Sequence, residues 1–302
     1  VERRDTSRLL LLGQYPPSVV LDKDMRLLDA IIALDERGVR YGVVVDDEGM
    51  LEGLISIDDV LFHVKKGYEE YSCVCEYVTK TYVSEVMDRD PPRVLLGEYG
   101  VEEVMDELAR KKTGALIVVD NRGRALGIIS TKHILSIMAL SKMHAAAHEV
   151  MDRHIPTLRE LNTLYEALEI MVSTHQRYVP VVDSEDKPRA MVTARDIISF
   201  IGLGETLRKL DERRDKEVMQ TKIEKIASAS LVYINPTTSL RKTIRLMRKY
   251  GVSGLPVVNE EDYRLQGIVS EEGIVAKLPH LAGIEMYYDY AKARLYIARA
   301  YV

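Results

Sequence analysis

One short pattern occurs four times along this chain, and a chain that repeats a pattern must be read as copies of one structural unit before anything else. Gly53-Leu-Ile-Ser-Ile-Asp-Asp-Val60, Gly127-Ile-Ile-Ser-Thr-Lys-His-Ile134, Ala190-Met-Val-Thr-Ala-Arg-Asp-Ile197 and Gly267-Ile-Val-Ser-Glu-Glu-Gly-Ile274 align residue for residue. Their starts are 74, 63 and 77 residues apart. An apolar stretch closing on Asp or Asn precedes each: Val43 to Asp46, Ile117 to Asp120, Pro180 to Asp183 and Pro256 to Asn259. The step from that stretch to the pattern is ten residues in the first three copies and eleven in the fourth, an insertion a turn can absorb.

Upstream of each pair of apolar stretches the period changes from two to between three and four. Leu27, Ala30, Ile31 and Leu34 in copy one, and Val101, Val104, Met105 and Leu108 in copy two, fall on one helical face. Copy three repeats this with Leu164, Ala167, Leu168 and Met171, and copy four with Leu240, Ile244 and Met247. Gly38 and Gly251 are placed to stop two of these helices. A short extended piece comes first in each copy, at Ser18 to Leu21, Arg93 to Leu95, Pro156 to Leu158 and Leu231 to Ile234, and a second amphipathic helix comes last. The expected order is strand, helix, strand, strand, helix, a mixed α/β (α+β) unit. Such a unit leaves one sheet face bare, so copies must pair.

Composition narrows the function classes. With 302 residues, 46% hydrophobic and 29% charged, the chain has the make-up of a soluble globular protein with room for a substantial core. A net charge of -5 argues against nucleic acid or an anionic membrane as the main partner. The run Leu9 to Leu12 is far short of the roughly 20 apolar residues of a membrane span, and no leader peptide is visible, so a cytoplasmic protein is expected. Cys73 and Cys75 lack a second pair to make a zinc site and read as buried thiols. Sparse Asn and Gln against plentiful Glu, Lys and Arg point to a thermophilic source.

The order of elements, the Val-Val-Asp strands and the Gly-h-h-Ser/Thr-x-x-Asp junctions resemble CBS domains, named for cystathionine beta-synthase, over nearly the whole chain. The repeats are placed at 1–66, 81–142, 146–203 and 217–281, with a tail helix at 282–302. The resemblance implies that copies one and two form one tandem (Bateman) module, that copies three and four form another, and that two modules stack into a disk within one chain or a homodimer. Between copies, Lys65 to Ser84 reads as a polar, tyrosine-rich connector, Met138 to Glu149 as a helix and Gly204 to Glu217 as one charged amphipathic helix. Val86-Met87, Val150-Met151 and Val218-Met219 open copies two, three and four.

In CBS modules that bind adenine nucleotides, the junction Asp accepts from the ribose hydroxyls and the Ser or Thr assists phosphate. The chemistry is sound, because a carboxylate has two acceptor oxygens and a helix N-terminus favours an anion. Asp59 with Ser56 holds this position in copy one, and Asp196 with Thr193 in copy three. Copies two and four have His133 and Gly273 in place of the acid. Arg40-Tyr41 and Arg177-Tyr178 also recur at one place, 19 residues before the acid, where Arg offers a multi-donor fork to phosphate; pairing with surface carboxylates is the competing reading. On the extended leading pieces, which in the family contact adenine, copy three has Thr157 while copy one has Val20 and Ser18. Lys132 and His133 could approach phosphate from the side of copy two.

Other candidates lead elsewhere. His144 and His148 stand four apart but lack a third metal ligand, so no metal is expected. No nucleophile elbow, Walker loop or carboxylate pair supports catalysis, and no cofactor is required. The expectation is a regulatory sensor binding AMP, ADP, ATP or S-adenosylmethionine, with a regulated protein as a further partner. The competing reading is a scaffold that docks a protein or nucleic acid through the tail, where Tyr288, Ala291, Leu295 and Ala298 make a helical stripe beside Lys292, Arg294 and Arg299.

Overall fold

The computed structural model describes residues 12–71, 73–111, 114–138, 145–228 and 231–281. The sequence also suggests a leading helix over residues 1–13; its part before residue 12, His144 and the tail helix expected at 282–302 lie outside the described residues. Copy one comprises β1 (Val20–Asp22), α1 (Leu27–Arg37), β2 (Tyr41–Val45), β3 (Leu51–Ser56) and α2 (Ile57–Tyr71), followed by α3 (Val74–Lys80) and α4 (Val83–Val86). Copy two has β4 (Arg93–Leu95), α5 (Val101–Lys111), β5 (Ala115–Val119), β6 (Ala125–Ser130) and α6 (Thr131–Met138), with α7 (Ala147–Val150) after it. Copy three contributes α8 (Leu164–Thr174), β7 (Tyr178–Val182), β8 (Pro188–Thr193) and α9 (Ala194–Gly202), then α10 (Gly204–Asp211) and α11 (Asp215–Met219). Copy four closes the series with α12 (Leu240–Tyr250), β9 (Gly254–Val258), β10 (Leu265–Ser270) and α13 (Glu271–Lys277).

The helix, strand, strand, helix order holds in every copy, with a leading strand in copies one and two only, and the same register recurs. β2 pairs antiparallel with β3, β5 with β6, β7 with β8 and β9 with β10. The leading piece runs parallel to the first of these strands: β1 and β4 make three-residue pairings, while copies three and four keep single bridges, Leu158 with Val181 and Ile234 with Val257. The Asp or Asn ending the first strand is explained by its turn. Asp46 Oδ1 accepts from the N–H groups of Glu48 and Met50, and Asp120, Asp183 and Asn259 accept likewise from the residues that follow them. The fourth copy's extra residue sits in this turn: Asn259 N–H reaches Arg264 where Asp46 N–H reaches Met50.

The periodic residues are the buried ones. Leu27, Ala30, Ile31 and Leu34 of α1 are inside, as are their counterparts Leu164, Ala167, Leu168 and Met171 of α8 and Leu240, Ile244 and Met247 of α12. Gly38 and Gly251 end α1 and α12 at φ of 59° and 66°, as their placement suggests, and His175 ends α8 in the same left-handed conformation. Three expectations change. The connector Lys65–Ser84 is largely helical, because Val60, Leu61, Val64 and Gly67 extend the buried face of α2, and Gly67 leaves room for the Tyr77 ring. The single helix expected over Gly204–Glu217 is two, divided at Arg213, whose φ is 57°. Cys73 is buried and caps α3 by accepting from Glu76 N–H, whereas Cys75 is half-buried rather than inside.

Two compact units result, one built from two separate stretches and the other from three. One joins residues 18–90 with 155–231, that is, copies one and three, with α1 and α2 lying on α8 and α9 around one apolar core. The other joins 91–154 with residues from 232 onward and the stretch before Ser18, so copies two and four share the second core, where α13 lies on α5 and α6. The segments leading into each repeat pair elsewhere. Asp88, ahead of copy two, exchanges backbone hydrogen bonds with Leu54 of copy one, and Gln14, ahead of copy one, with Ile128 of copy two. Asp152 and Ser228 make the same exchange with Ile268 of copy four and Met191 of copy three.

Candidate functional site

Each helix that follows a strand pair begins beside the residue that precedes the first strand. Ile57 N–H donates to the Arg40 carbonyl and Ala194 N–H to the Arg177 carbonyl, both at 2.9 Å. Thr131 and Glu271 make the same bond to Gly114 and Ser253 at 3.1 and 3.0 Å. The fold therefore brings Arg40 and Arg177 to helix N-termini, where free N–H groups and the helix dipole favour anions. In copies two and four the same place holds residues without charge.

The hydroxyl and the acid of the repeated pattern form a reciprocal cap. In copy one, Ser56 N–H and Oγ donate to Asp59 Oδ2 at 2.8 and 2.6 Å, and Asp59 N–H returns a bond to Ser56 Oγ at 3.3 Å. Copy three repeats it: Thr193 N–H and Oγ1 donate to Asp196 Oδ2 at 2.8 and 2.7 Å, and Asp196 N–H returns one at 3.2 Å. One carboxylate oxygen thus holds the cap, and among the described residues no donor reaches Oδ1 of either acid. Burial pushes both carboxyls above their ordinary range, against the pull of the Ser56 and Thr193 hydrogen bonds. Such an acid is partly desolvated in the folded chain and gains from a new donor.

Copy two keeps the cap with a different acceptor. Ser130 N–H donates to His133 Nδ1 at 3.0 Å, and burial pushes the imidazole down to about 4. At neutral pH the ring is uncharged, accepts at Nδ1 and carries its proton on Nε2. His133 therefore brings no positive charge to a phosphate; of the expected pair only Lys132, which is exposed, is a cation. In copy four Gly273 N–H donates to Ser270 Oγ at 3.0 Å with no side chain to reciprocate.

Copies one and three touch through these same residues. The Arg40 guanidinium donates to the hydroxyl of the buried Tyr178, and Arg177 Nε lies 3.5 Å from Asp58 Oδ1. Arg195 donates to the Gly38 carbonyl at 2.6 Å, and Ser199 Oγ to Asp35 at 2.5 Å. Both expected arginines and Tyr178 thus meet across one pair of repeats. Ser18 is half-buried, Tyr41 pairs with Ser56 across β2 and β3, Thr157 is exposed, and Val20 is one of the few large apolar side chains left open, at 49% exposure. Among the described residues no hydrogen bond ties the side chains of Ser18 or Thr157 to the caps. Asp58 and Arg195 were missed by the motif reading, although they share a repeat position with Lys132 and Glu272 that is charged in all four copies. No group of three or more metal-ligating side chains occurs among the described residues, and no helix there is long and apolar enough to cross a membrane.

Comparison with known proteins fits this architecture. The CBS domain model matches residues 13–66, 83–140, 147–203 and 216–280, and the chain belongs to the CBS-domain family. A 33.4 kDa protein from a ribosomal RNA operon of Thermofilum pendens is 28% identical over 96% of this chain and 97% of its own. The crystal structure of MJ1225 from Methanocaldococcus jannaschii, described as a proposed archaeal homologue of g-AMPK, matches with a TM-score of 0.81 at 17% identity, over 89% of this chain and 98% of that one. A conserved protein of Pyrococcus horikoshii matches with a TM-score of 0.59 at 18% identity, over 90% and 98% of the two chains.

Proposed function

We propose that this chain is a non-catalytic regulatory sensor that binds adenosyl ligands, AMP, ADP, ATP or S-adenosylmethionine, in copies one and three. The observation that carries the reading is the pair of matching sites in which a half-buried carboxylate with an open Oδ1 shares a helix N-terminus with an arginine. A ribose hydroxyl donates to Oδ1 of Asp59 or Asp196, phosphate oxygens accept from the helix N–H groups and from Arg40 or Arg177, and Val20 offers an apolar surface to the base. Membership of the CBS family supports a regulatory rather than a chemical role. Because α1 of copy one lies on α9 of copy three, a ligand that draws on both copies favours one arrangement of that pair, which is how binding would be passed to a partner protein.

Isothermal titration of the full chain with AMP, ATP and S-adenosylmethionine tests this. Asp59→Asn and Asp196→Asn each keep an oxygen to accept the cap but lose the charge. The double variant is expected to bind at least about tenfold more weakly, the loss of a charged hydrogen bond at each site. Equal affinity for the double variant, with the fold intact by circular dichroism, would remove the two acids from the site.

A further inference from the structure

The helix that precedes the strand pair is eleven residues long in every repeat, and in three repeats it carries the same charge. α1 has three acids and one base, α5 four acids and two bases, and α8 two acids, so each is -2. α12 has five bases, Arg241, Lys242, Arg245, Arg248 and Lys249, and no acid. No Asp or Glu occurs between Glu224 and Glu260. All five cations are exposed, while Leu240, Thr243, Ile244 and Met247 are buried on the opposite side. At about 3.6 residues per turn the five fall within about a third of the helix circumference, a sector that holds no other residue of α12, along about 16 Å of axis. Other helices set a cation one turn from an acid, as with Lys65 and Glu69, Lys80 and Glu76, or Lys209 and Glu205. Among the described residues no carboxylate pairs with any of the five on α12, and Lys249 lies over the Tyr250 ring at 5.0 Å.

Arg241 and Arg245, and Arg245 and Lys249, are like charges four residues apart, an arrangement that weakens a helix left uncovered. We propose that the outer face of α12 docks an acidic helical segment of a partner protein, about three turns long, with carboxylates at spacings of three and four. Charge complementarity selects this occupant. The chain is -5 overall, so its residues outside α12 sum to -10. A nucleic acid carries its charge on past the end of the helix, a phosphate on each strand every 3.4 Å or about that, and would meet the acidic remainder. A membrane surface asks for apolar side chains beside the cations, and the sector has none. A second copy offers at the equivalent places helices of -2, which do not balance +5. A protein segment can confine its acids to the length of the face. Each exposed ion pair is weak and screened by salt, so docking depends on several acting together. The surface belongs to the unit of copies two and four and does not rest on the adenosyl reading of copies one and three.

Fluorescence anisotropy of the full chain with a labelled Ala-rich peptide of about 20 residues, long enough to be helical, tests this. Its glutamates lie on one face at spacings of three and four. A second peptide of the same composition scatters them around the helix, and a labelled oligothymidylate carries equal charge. The one-faced peptide is expected to bind tightest, and to weaken as salt rises. Arg245→Glu with Arg248→Glu is expected to weaken it at least about tenfold, and Arg245→Gln with Arg248→Gln by a smaller factor, the fold being kept by circular dichroism because both side chains are exposed. Reversing two exposed cations elsewhere, Arg122→Glu with Lys216→Glu, changes the net charge equally and is expected to leave binding within about twofold. No binding of the one-faced peptide, equal binding of the two peptides, tighter binding of the oligothymidylate or equal losses from the two reversals overturns the proposal. Self-association of the wild type by light scattering that Arg245→Glu with Arg248→Glu abolishes also overturns it, since a second copy is then the occupant.

Discussion

His133 shows how one position can keep a structural task while losing a chemical one. Asp59, Asp196 and His133 all accept from the N-cap of their helix, but only the two acids bring a negative charge to it. The imidazole can accept only while neutral, and burial holds it there by pushing it from 6.5 down to about 4. The sign of the linkage follows: the unfolded chain binds this proton more tightly, so the contribution of His133 is fully present above pH 6.5 and is lost as pH falls towards 4. Acid is expected to weaken the fold by up to about 3 kcal/mol across that window through this residue alone. His133→Asp, which copies the cap of copies one and three, should flatten the urea midpoint between those pH values; an unchanged pH profile would show that the ring does not titrate with folding. The acids and arginines of the candidate site could be picked out from the sequence because they repeat in register. Asp58 and Arg195 were not, because a charge on the first turn of a helix looks like a solvated residue until the opposite copy is seen to meet it.

At the scale of elements, the glycine that opens three of the four patterns answers to a neighbour rather than to its own dihedral angles. A Cβ on Gly53 would lie 2.7 Å from the Asp88 carbonyl, and one on Gly267 2.4 Å from that of Asp152, where the exchanged segments cross the second strand. Copy three has Ala190 instead, and there the bond from Met191 N–H to the Ser228 carbonyl is 3.4 Å, against 2.9 Å for Leu54 to Asp88 and for Ile268 to Asp152. A methyl group beneath a crossing segment calls for such a wider spacing. Gly267→Ala is therefore expected to destabilise the chain by about 1–3 kcal/mol, the usual scale of an overpacked site, while Ala190→Gly is tolerated. Urea unfolding of both variants checks this, and equal effects would mean the crossing segments contribute nothing. The helices were readable from their apolar period, since their buried faces carry Leu, Ile and Met at spacings of three and four. The crossings were not, because a one-residue bridge leaves no periodic trace, and the Val-Met pairs looked like the start of their own repeat.

The two crossings per pair of repeats bear on the whole molecule, because neither compact unit is a continuous stretch of chain. The core around α1 and α2 is completed by α8 and α9 more than a hundred residues later, and the core around α5 and α6 by α12 and α13. The exchanged backbone bonds, Leu54 with Asp88 and Ile128 with Gln14, each fall within one unit, and within a unit repeats one apart are joined by buried side chains. Fragments 1–142 and 146–302 should each keep their exchanged bonds and lose half of both cores. The apolar faces exposed include Ala30, Ile31, Ile198 and Ile201, each at most 3% exposed in the whole chain. Burial at about 25 cal/mol per Å² makes such faces untenable in water, so each fragment is expected to self-associate alone and the two to form one complex when co-expressed. Size-exclusion chromatography with light scattering reads the outcome. A fragment 1–142 that is monomeric and unfolds cooperatively would mean that the shared helical cores are not what holds distant repeats together, and the coupling between copies one and three would lose its physical basis.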